Sequence, residues 1–370
     1  IFDSLVGGAA LVYLSSRYSW SQLIKASYAW VLVVSIFAFF ILQAFHIFET
    51  KYLFHIILLS AISSISSVHA SLLLGQQQLK AFNLVQILVP LITFATCIGQ
   101  WFVYQQLNYL IALYVSYLVA LLTSFIAIWR FFPTQNDSVV GWKVIWQRLF
   151  KLGFYNQLAH VLQLLSFRAS YYILEQFHGT SAVGVFSNAS SITESIWLIA
   201  TSISLWQYAA ISNAQDQQYT IQITEKLSRF GMLAAFFGVG FFLLLPADFY
   251  RFVFGSDFGG LQLLMWALAP GVWVFTYALV VGHYFSGHGR YWVNALASGV
   301  GLLFSLLASF IFIPTYGAMG AALAASISYT ATSLIVLRFF LKDGAQFSVF
   351  PSKEELLQLF TQMRVLWRKS

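Results

Sequence analysis

Apolar runs of roughly twenty residues, separated by short polar stretches, repeat along the whole chain, and a helix of that length spans about 30 Å of hydrocarbon. Eleven such runs are predicted, near residues 1–16, 27–48, 52–74, 82–104, 108–131, 152–174, 182–210, 230–247, 261–285, 291–313 and 318–340. A membrane β-barrel would instead show segments of about ten residues alternating apolar and polar. Most connections are brief; the exceptions, 132–150 and 213–228, are polar and carry Lys or Arg. The first run is short and does not begin with Met, which predicts a trimmed N-terminus and one further preceding helix, twelve spans in all, rather than a signal peptide.

Composition agrees with a chain solvated by lipid. Hydrophobic residues make up 59% and charged residues 8%, against about 25% charged in a soluble domain, so polar side chains are too few to coat a water-facing surface. The 18% of aromatic residues suits interfacial belts at helix ends. Cys97 is the single cysteine, which excludes an internal disulfide and a thiolate metal cluster. The net charge of +7 is scattered between apolar runs, a pattern of membrane orientation rather than of nucleic-acid binding. Of the 19 Lys and Arg residues, Lys51 and Arg251 fall on one side of the alternating loops and Arg168 within a run; the others fall on the opposite side. By the positive-inside rule that side is cytoplasmic, and the C-terminus with it. After Pro351, the pattern Ser352-Lys-Glu-Glu355 predicts a capping box. It opens a helix to about residue 368 whose face of Leu356, Leu359, Phe360, Met363 and Trp367 suits the inner membrane surface or a partner protein.

A loose internal repeat organises the runs. Gly75-Gln-Gln-Gln-Leu-Lys80 with Asn83 opens a helix pair that ends in Arg130-Phe131-Phe132, and Gly287-His-Gly-Arg290 with Asn294 opens another that ends in Arg338-Phe339-Phe340, at nearly equal spacing. The predicted fold is therefore all-α and polytopic, in two six-helix lobes. These are an N-terminal lobe at 1–131, an inter-lobe loop at 132–150 and a C-terminal lobe at 151–341, followed by the interfacial helix at 351–368. A parallel repeat about the membrane normal is one of the transporter architectures.

Ionisable residues inside spans are costly and mark function by default. Arg168 lies 17 residues after Lys151, roughly 25 Å along a helix, in the outer part of its run. Glu194 lies near the middle of the next, and Asp3 in the outer half of the first. At 100° per residue Asn156, His160, Gln163 and Ser170 share one stripe, with Arg168 at its edge beside Gln157. Ser187, Ser191, Glu194, Thr201 and Ser204 form a second stripe, and Ser60, Ser64, Ser67 and Ser71 a third. Polar stripes must face protein or water. Packing through small hydroxyls explains the serine stripe; a hydrated cavity better explains the two that carry charge. Arg17, Lys25 and Arg290 are candidates for the cytoplasmic mouth. His55, His69 and His160 lack ligand spacing, so no metal site is expected, and Ser286-Gly-His-Gly289 is too short for a nucleotide loop. No Ser/His/Asp set or long outer loop is present to hold enzyme chemistry, which weighs against a membrane glycan polymerase or ligase.

Three stretches carry a family resemblance: 245–258 (Leu-Pro-Ala-Asp-Phe-Tyr-Arg-Phe-Val-Phe-Gly-Ser-Asp-Phe) with Gly287-His-Gly-Arg290; 312–322 (Phe-Ile-Pro-Thr-Tyr-Gly-Ala-Met-Gly-Ala-Ala); and 184–197 (Gly-Val-Phe-Ser-Asn-Ala-Ser-Ser-Ile-Thr-Glu-Ser-Ile-Trp) following Arg168. Together they resemble the Wzx-type polysaccharide or O-antigen flippases of the multidrug/oligosaccharidyl-lipid/polysaccharide exporter superfamily. The resemblance implies a twelve-helix, MATE-like transporter of the bacterial inner membrane, multi-pass with a cytoplasmic C-terminus. It would carry an undecaprenyl-diphosphate-linked oligosaccharide to the periplasmic leaflet by alternating access for O-antigen, capsule or exopolysaccharide synthesis. The implied partners are that lipid-linked oligosaccharide, membrane lipids and other polysaccharide-assembly proteins. No cofactor is implied. In that family cavity cations are thought to receive the diphosphate, and inside a span only Arg168 matches. Glu194 suits a proton or sodium site that couples movement to an ion gradient, or a counter-ion for Arg168. A drug/cation antiporter of the same superfamily is the rival reading, with acidic cavity residues its expected mark.

The charge alternation has a direct test. Reporter fusions at Gln135 and Asp216 are expected to read cytoplasmic, and fusions at His178 and Ser256 periplasmic; the same side for Gln135 and His178 would overturn the span order.

Overall fold

The computed structural model describes residues 4–46, 48–132, 140–352 and 355. Asp3 and the predicted apolar face at 356–367 lie outside them. Among the described residues all regular structure is helical. In chain order the helices are α1 (Ser4–Gly7), α2 (Ala9–Leu14), α3 (Trp20–Ala44), α4 (Thr50–Gly75), α5 (Leu79–Tyr104), α6 (Tyr109–Arg130) and α7 (Trp142–Glu194). There follow α8 (Trp197–Asn213), α9 (Gln217–Leu244), α10 (Ala247–Phe254), α11 (Leu261–Gly287) and α12 (Tyr291–Lys342). Seven of them, α3 to α6, α9, α11 and α12, are long and apolar enough to cross a membrane, and the chain is a multi-pass membrane protein. α8, at 17 residues, and α7, with its many polar positions, fall outside that set.

The two longest helices each hold a reversal. α12 has 52 residues, roughly 78 Å of helix at 1.5 Å per residue, which is more than twice the hydrocarbon thickness. Its backbone leaves the helical region at Gly317 (φ 54°, ψ −129°), and that of α7 does so at Gly179 (φ 78°, ψ 176°). Both lie at positive φ, which glycine adopts without a Cβ penalty. Contacts across each break confirm the fold-back: Tyr171 Oη to Ser190 Oγ is 2.7 Å in α7, and Ser328 Oγ donates to Gly301 O at 2.9 Å in α12. These reversals match the predicted gaps at 174–182 and 313–318.

Elsewhere helix replaces predicted loop. α7 begins at Trp142, inside the stretch expected as a loop through Phe150. Ile145 and Leu149 are 1% and 0% exposed, so these first turns bury one apolar face while Lys143, Arg148 and Lys151 face outward. Those charges lower the mean hydropathy and hide an amphipathic helix from a search for spans. α9 begins at Gln217, well ahead of the predicted 230, because the Asp216 carboxylate caps it by accepting from Gln218 N at 2.8 Å. α10 occupies a stretch read as a connection, and the predicted run 182–210 is divided by the turn at Ser195-Ile196.

Two compact units are present. The first comprises residues 1–157, 208–213 and 287–289; the second comprises 158–207, 214–286 and 290–370. α4 is the hub of the first, packing against α1, α2, α3, α5 and α6, with Leu11, Trp20, Leu23, Leu72 and Leu149 in the shared core. His69 of α4 is fully buried, with one ring nitrogen on Tyr28 Oη of α3 (2.5 Å) and the other on Ser124 Oγ of α6 (2.8 Å). A neutral imidazole offers one donor and one acceptor, so this site uses its full capacity.

In the second unit the segment after α12 is stapled along α9 and α11. Gln346 N donates to Glu225 Oε1 (2.6 Å), Phe347 meets Tyr277 edge-on at 5.3 Å, and Arg229 bridges Glu225 (3.0 Å) and Glu355 (2.8 Å). The predicted capping box is formed: Glu355 N donates to Ser352 Oγ (3.2 Å) and Ser352 N to Glu355 Oε2 (2.8 Å). Partial burial pushes the Glu355 carboxyl up, but the Ser352 N–H and the Arg229 guanidinium outweigh it and hold the group below its ordinary value. A depressed carboxyl contributes stability above its unfolded pKa, about 4.3, and loses it as pH falls through the folded value. Limited proteolysis between 345 and 352 is therefore expected to accelerate below about pH 4. It should accelerate at neutral pH in Arg229→Ala; unchanged cleavage in that variant would show that the staple does not depend on the ion pair.

Candidate functional site

The second unit brings four rings from four helices together: Phe167 of α7, Trp197 of α8, Phe275 of α11 and Tyr329 of α12. Every pair is in contact, with centroids from 4.8 Å (Trp197–Phe275) to 5.8 Å (Phe167–Phe275). Trp197 Nε1 donates to Val272 O at 3.0 Å, which satisfies its one polar atom. Tyr329, 2% exposed, donates its hydroxyl to Glu194 Oε1 at 2.5 Å. A half-buried carboxylate is thus aligned by a hydroxyl whose ring three other helices hold in place.

Arg168 lies within electrostatic range of Glu194, yet among the described residues no ion pair joins them. Its guanidinium stands 5.1 Å from the centre of the Tyr171 ring, and the Tyr171 hydroxyl is fixed by Ser190 across the α7 reversal. Arg168 is exposed, in a sector shared with Leu164, Leu165 and Tyr172, which are 50%, 48% and 72% exposed. The cation therefore sits beside an open apolar surface.

The predicted stripe around it divides. His160 is exposed and Gln163 half-buried, but Asn156 and Ser170 are buried, and Asn156 belongs to the first unit. Next to Ser170, Ser166 bonds Ser328 (2.7 Å) and its carbonyl accepts from Ser305 (2.9 Å), so this face of α7 is spent on packing against α12. On the second stripe Ser191 is exposed and Ser204 fully buried, where it back-bonds to Ala200 O at 2.7 Å.

The three residues expected at a mouth differ in kind. Arg17, in the first unit, donates to Tyr13 O, Ser16 Oγ and Ser212 O, each at 2.9 Å, and covers the Tyr13 ring at 3.9 Å. It ties the ends of α2 and α8. Arg290, in the second unit, pairs with Asp343 at 2.5 Å, joining the two ends of α12. Lys25 is exposed on α3. Among the described residues no cluster of His, Cys, Asp or Glu suits a metal ion.

Tyr329, Trp197 and Phe275 escaped the sequence reading. Their signal is faint, since an aromatic residue in an apolar run reads as core; the run of hydroxyls at Ser326, Ser328, Tyr329, Thr330, Thr332 and Ser333 was the available hint.

No protein-family model matches the chain. It is 26% identical over 159 residues to the capsular polysaccharide biosynthesis protein CapF of Staphylococcus aureus, covering 42% of this chain and 40% of that protein; the match thus spans less than half of the relative's length. Among solved structures it is similar to a mutant of the MATE transporter VcmN of Vibrio cholerae, with a TM-score of 0.81, 12% identity and coverage of 92% of this chain and 85% of that one. An outward-facing multidrug-resistance MATE transporter of the MOP superfamily gives a TM-score of 0.72 at 16% identity, covering 93% and 86%. A MOP superfamily transporter of Pyrococcus furiosus, described as having a binding pocket of reversed polarity, gives 0.69 at 15%, again covering 93% and 86%. The chain has the MATE transporter fold.

The Tyr329–Glu194 contact is tested by paired variants. Tyr329→Phe keeps the ring and loses a hydrogen bond to a carboxylate, about 1.5–3 kcal/mol, and should lower the thermal midpoint in detergent. Tyr329→Ala also opens a cavity, about 3–5 kcal/mol, and should lower it further. An unchanged midpoint in Tyr329→Phe would remove the carboxylate from the stability of this unit.

Proposed function

We propose that the chain is a flippase that moves an undecaprenyl-diphosphate-linked oligosaccharide from the cytoplasmic to the periplasmic leaflet of a bacterial inner membrane, by alternating access, for surface polysaccharide synthesis. The observation that carries this reading is Arg168, a guanidinium without an ion-pair partner among the described residues and set beside an open apolar sector. A prenyl diphosphate has the complementary shape: an anionic headgroup that bare hydrocarbon excludes, joined to a long apolar chain. Guanidinium grips phosphate oxygens bidentately and does not lose its proton. The MATE fold and the partial similarity to a capsular polysaccharide biosynthesis protein support the same reading.

Glu194 favours a second reading, a drug/cation antiporter. A carboxylate anchored by Tyr329 beside aromatic rings is suited to an organic cation, which aromatic faces attract, and one of the similar structures is a multidrug-resistance transporter. Glu194 would serve the flippase as the proton or sodium site instead.

Substitution separates the two. Arg168→Lys, at normal membrane abundance, is expected to lower glycan export roughly ten- to a hundredfold, the loss of a charge-assisted bidentate contact, with lipid-linked glycan accumulating in the inner leaflet. Full complementation by the Lys variant would overturn the phosphate role. Glu194→Gln abolishing efflux of cationic dyes while glycan export persists would favour the antiporter.

A further inference from the structure

Among the described residues, four of the six arginines outside α7 are committed. Arg17 holds carbonyls, and Arg229, Arg251 and Arg290 hold carboxylates. The first turns of α7 are different. Lys143, Arg148 and Lys151 are exposed, and no ion pair engages them among the described residues. With Gln147 they line one open concavity of about 760 Å³, whose remaining walls are Trp146 and Phe150.

Position along the helix explains the convergence. At 100° per residue Lys143, Gln147 and Lys151 follow one another at i, i+4 and i+8, with Arg148 on one flank and the two aromatics on the other. Ile145 and Leu149 point the opposite way, into the core of the first unit. The rings are fixed: Trp146 and Phe150 stack at 5.6 Å with planes 25° apart, and Trp30 of α3 meets Phe150 edge-on at 4.9 Å. Cations beside rigid, half-exposed aromatic rings, one of them packed on the membrane-crossing helix α3, have the make-up of a lipid headgroup contact.

The geometry points to a site for a lipid-borne phosphate in this concavity, with Lys143, Arg148 and Lys151 neutralising the anion and Gln147 offering an amide donor. Arg148 supplies a planar fork for two phosphate oxygens, and the lysines supply point charges on either side. Trp146 and Phe150 set the depth by lying at the level of the glycerol or first isoprene carbons. This site lies within the first unit and is distinct from Arg168, so it stands whether or not the chain carries lipid-linked glycan. Two lipids share the required chemistry, an anionic phospholipid of the bilayer and a prenyl diphosphate.

Native mass spectrometry of the full chain in detergent, titrated with phosphatidylglycerol, phosphatidylcholine or undecaprenyl diphosphate, tests it. Phosphatidylglycerol is expected to bind in preference to phosphatidylcholine. Replacing all three cations (Lys143→Gln, Arg148→Gln, Lys151→Gln) should weaken binding by about tenfold or more. An equal charge change elsewhere (Lys80→Gln, Arg338→Gln, Lys342→Gln) should leave binding near that of the parent. Retention of undecaprenyl diphosphate alone, lost in the first variant, would support the site and identify its source as the prenyl lipid. Equal binding by both variants, or no preference for a phosphate-bearing anion over phosphatidylcholine, would overturn it. Should the triple variant fold poorly, Lys151→Glu alone must still reduce binding.

Discussion

A hydrogen-bonding group taken into hydrocarbon must find its partner within the protein, and the interior of this chain is arranged around that requirement. Buried serines and threonines return their hydroxyls to carbonyls one turn back, as Thr193 does to Ala189 and Ser333 to Tyr329. Groups that do more connect helices. His69 joins α3, α4 and α6; Trp197 reaches the carbonyl of Val272; Tyr329 reaches Glu194. Ser328 gives its proton to Gly301, so Ser166 must be the donor between them, while the Ser166 carbonyl takes the proton of Ser305. Polarity is local cross-linking here, since apolar side chains gain little by leaving lipid for one another.

The same requirement limits what side chains can offer a ligand. Arg17 and Arg290 were expected at a mouth on charge alone, yet the structure uses both to close helix ends, where orphan carbonyls or a neighbouring carboxylate need a cation. Arg168 and the three cations of early α7 remain uncommitted. Distinguishing the two groups requires knowing which backbone ends lie nearby, information that spacing along one helix does not contain.

That distinction also describes what could be read before the fold was known. Runs of apolar residues located the membrane-crossing helices, and the gaps between runs at 174–182 and 313–318 hold the reversals at Gly179 and Gly317, because run length is a local property. The Ser352–Glu355 box was equally local and is present. Helix 142–150 was missed because its apolar face is narrow and its charges outweigh it in a running average. The stripe from Asn156 to Ser170 lies on one helix, but its angle could not say that Ser166 would pack on α12, that Ser170 would be buried, or that His160 would stay open. Tyr329 carried only the faint signal of its hydroxyl run, since its importance comes from Glu194 on another helix.

At the reversal of α7, His178 Nε2 lies 2.9 Å from the carbonyl of Ile313, one turn ahead of the break in α12 at Gly317. One imidazole thus pins the tip of one hairpin to the tip of the other. With the contacts of Ser166, Ser305 and Ser328 further along, α7 and α12 are joined at two levels of their length. The Ser195-Ile196 turn that separates α7 from α8 lies outside these contacts.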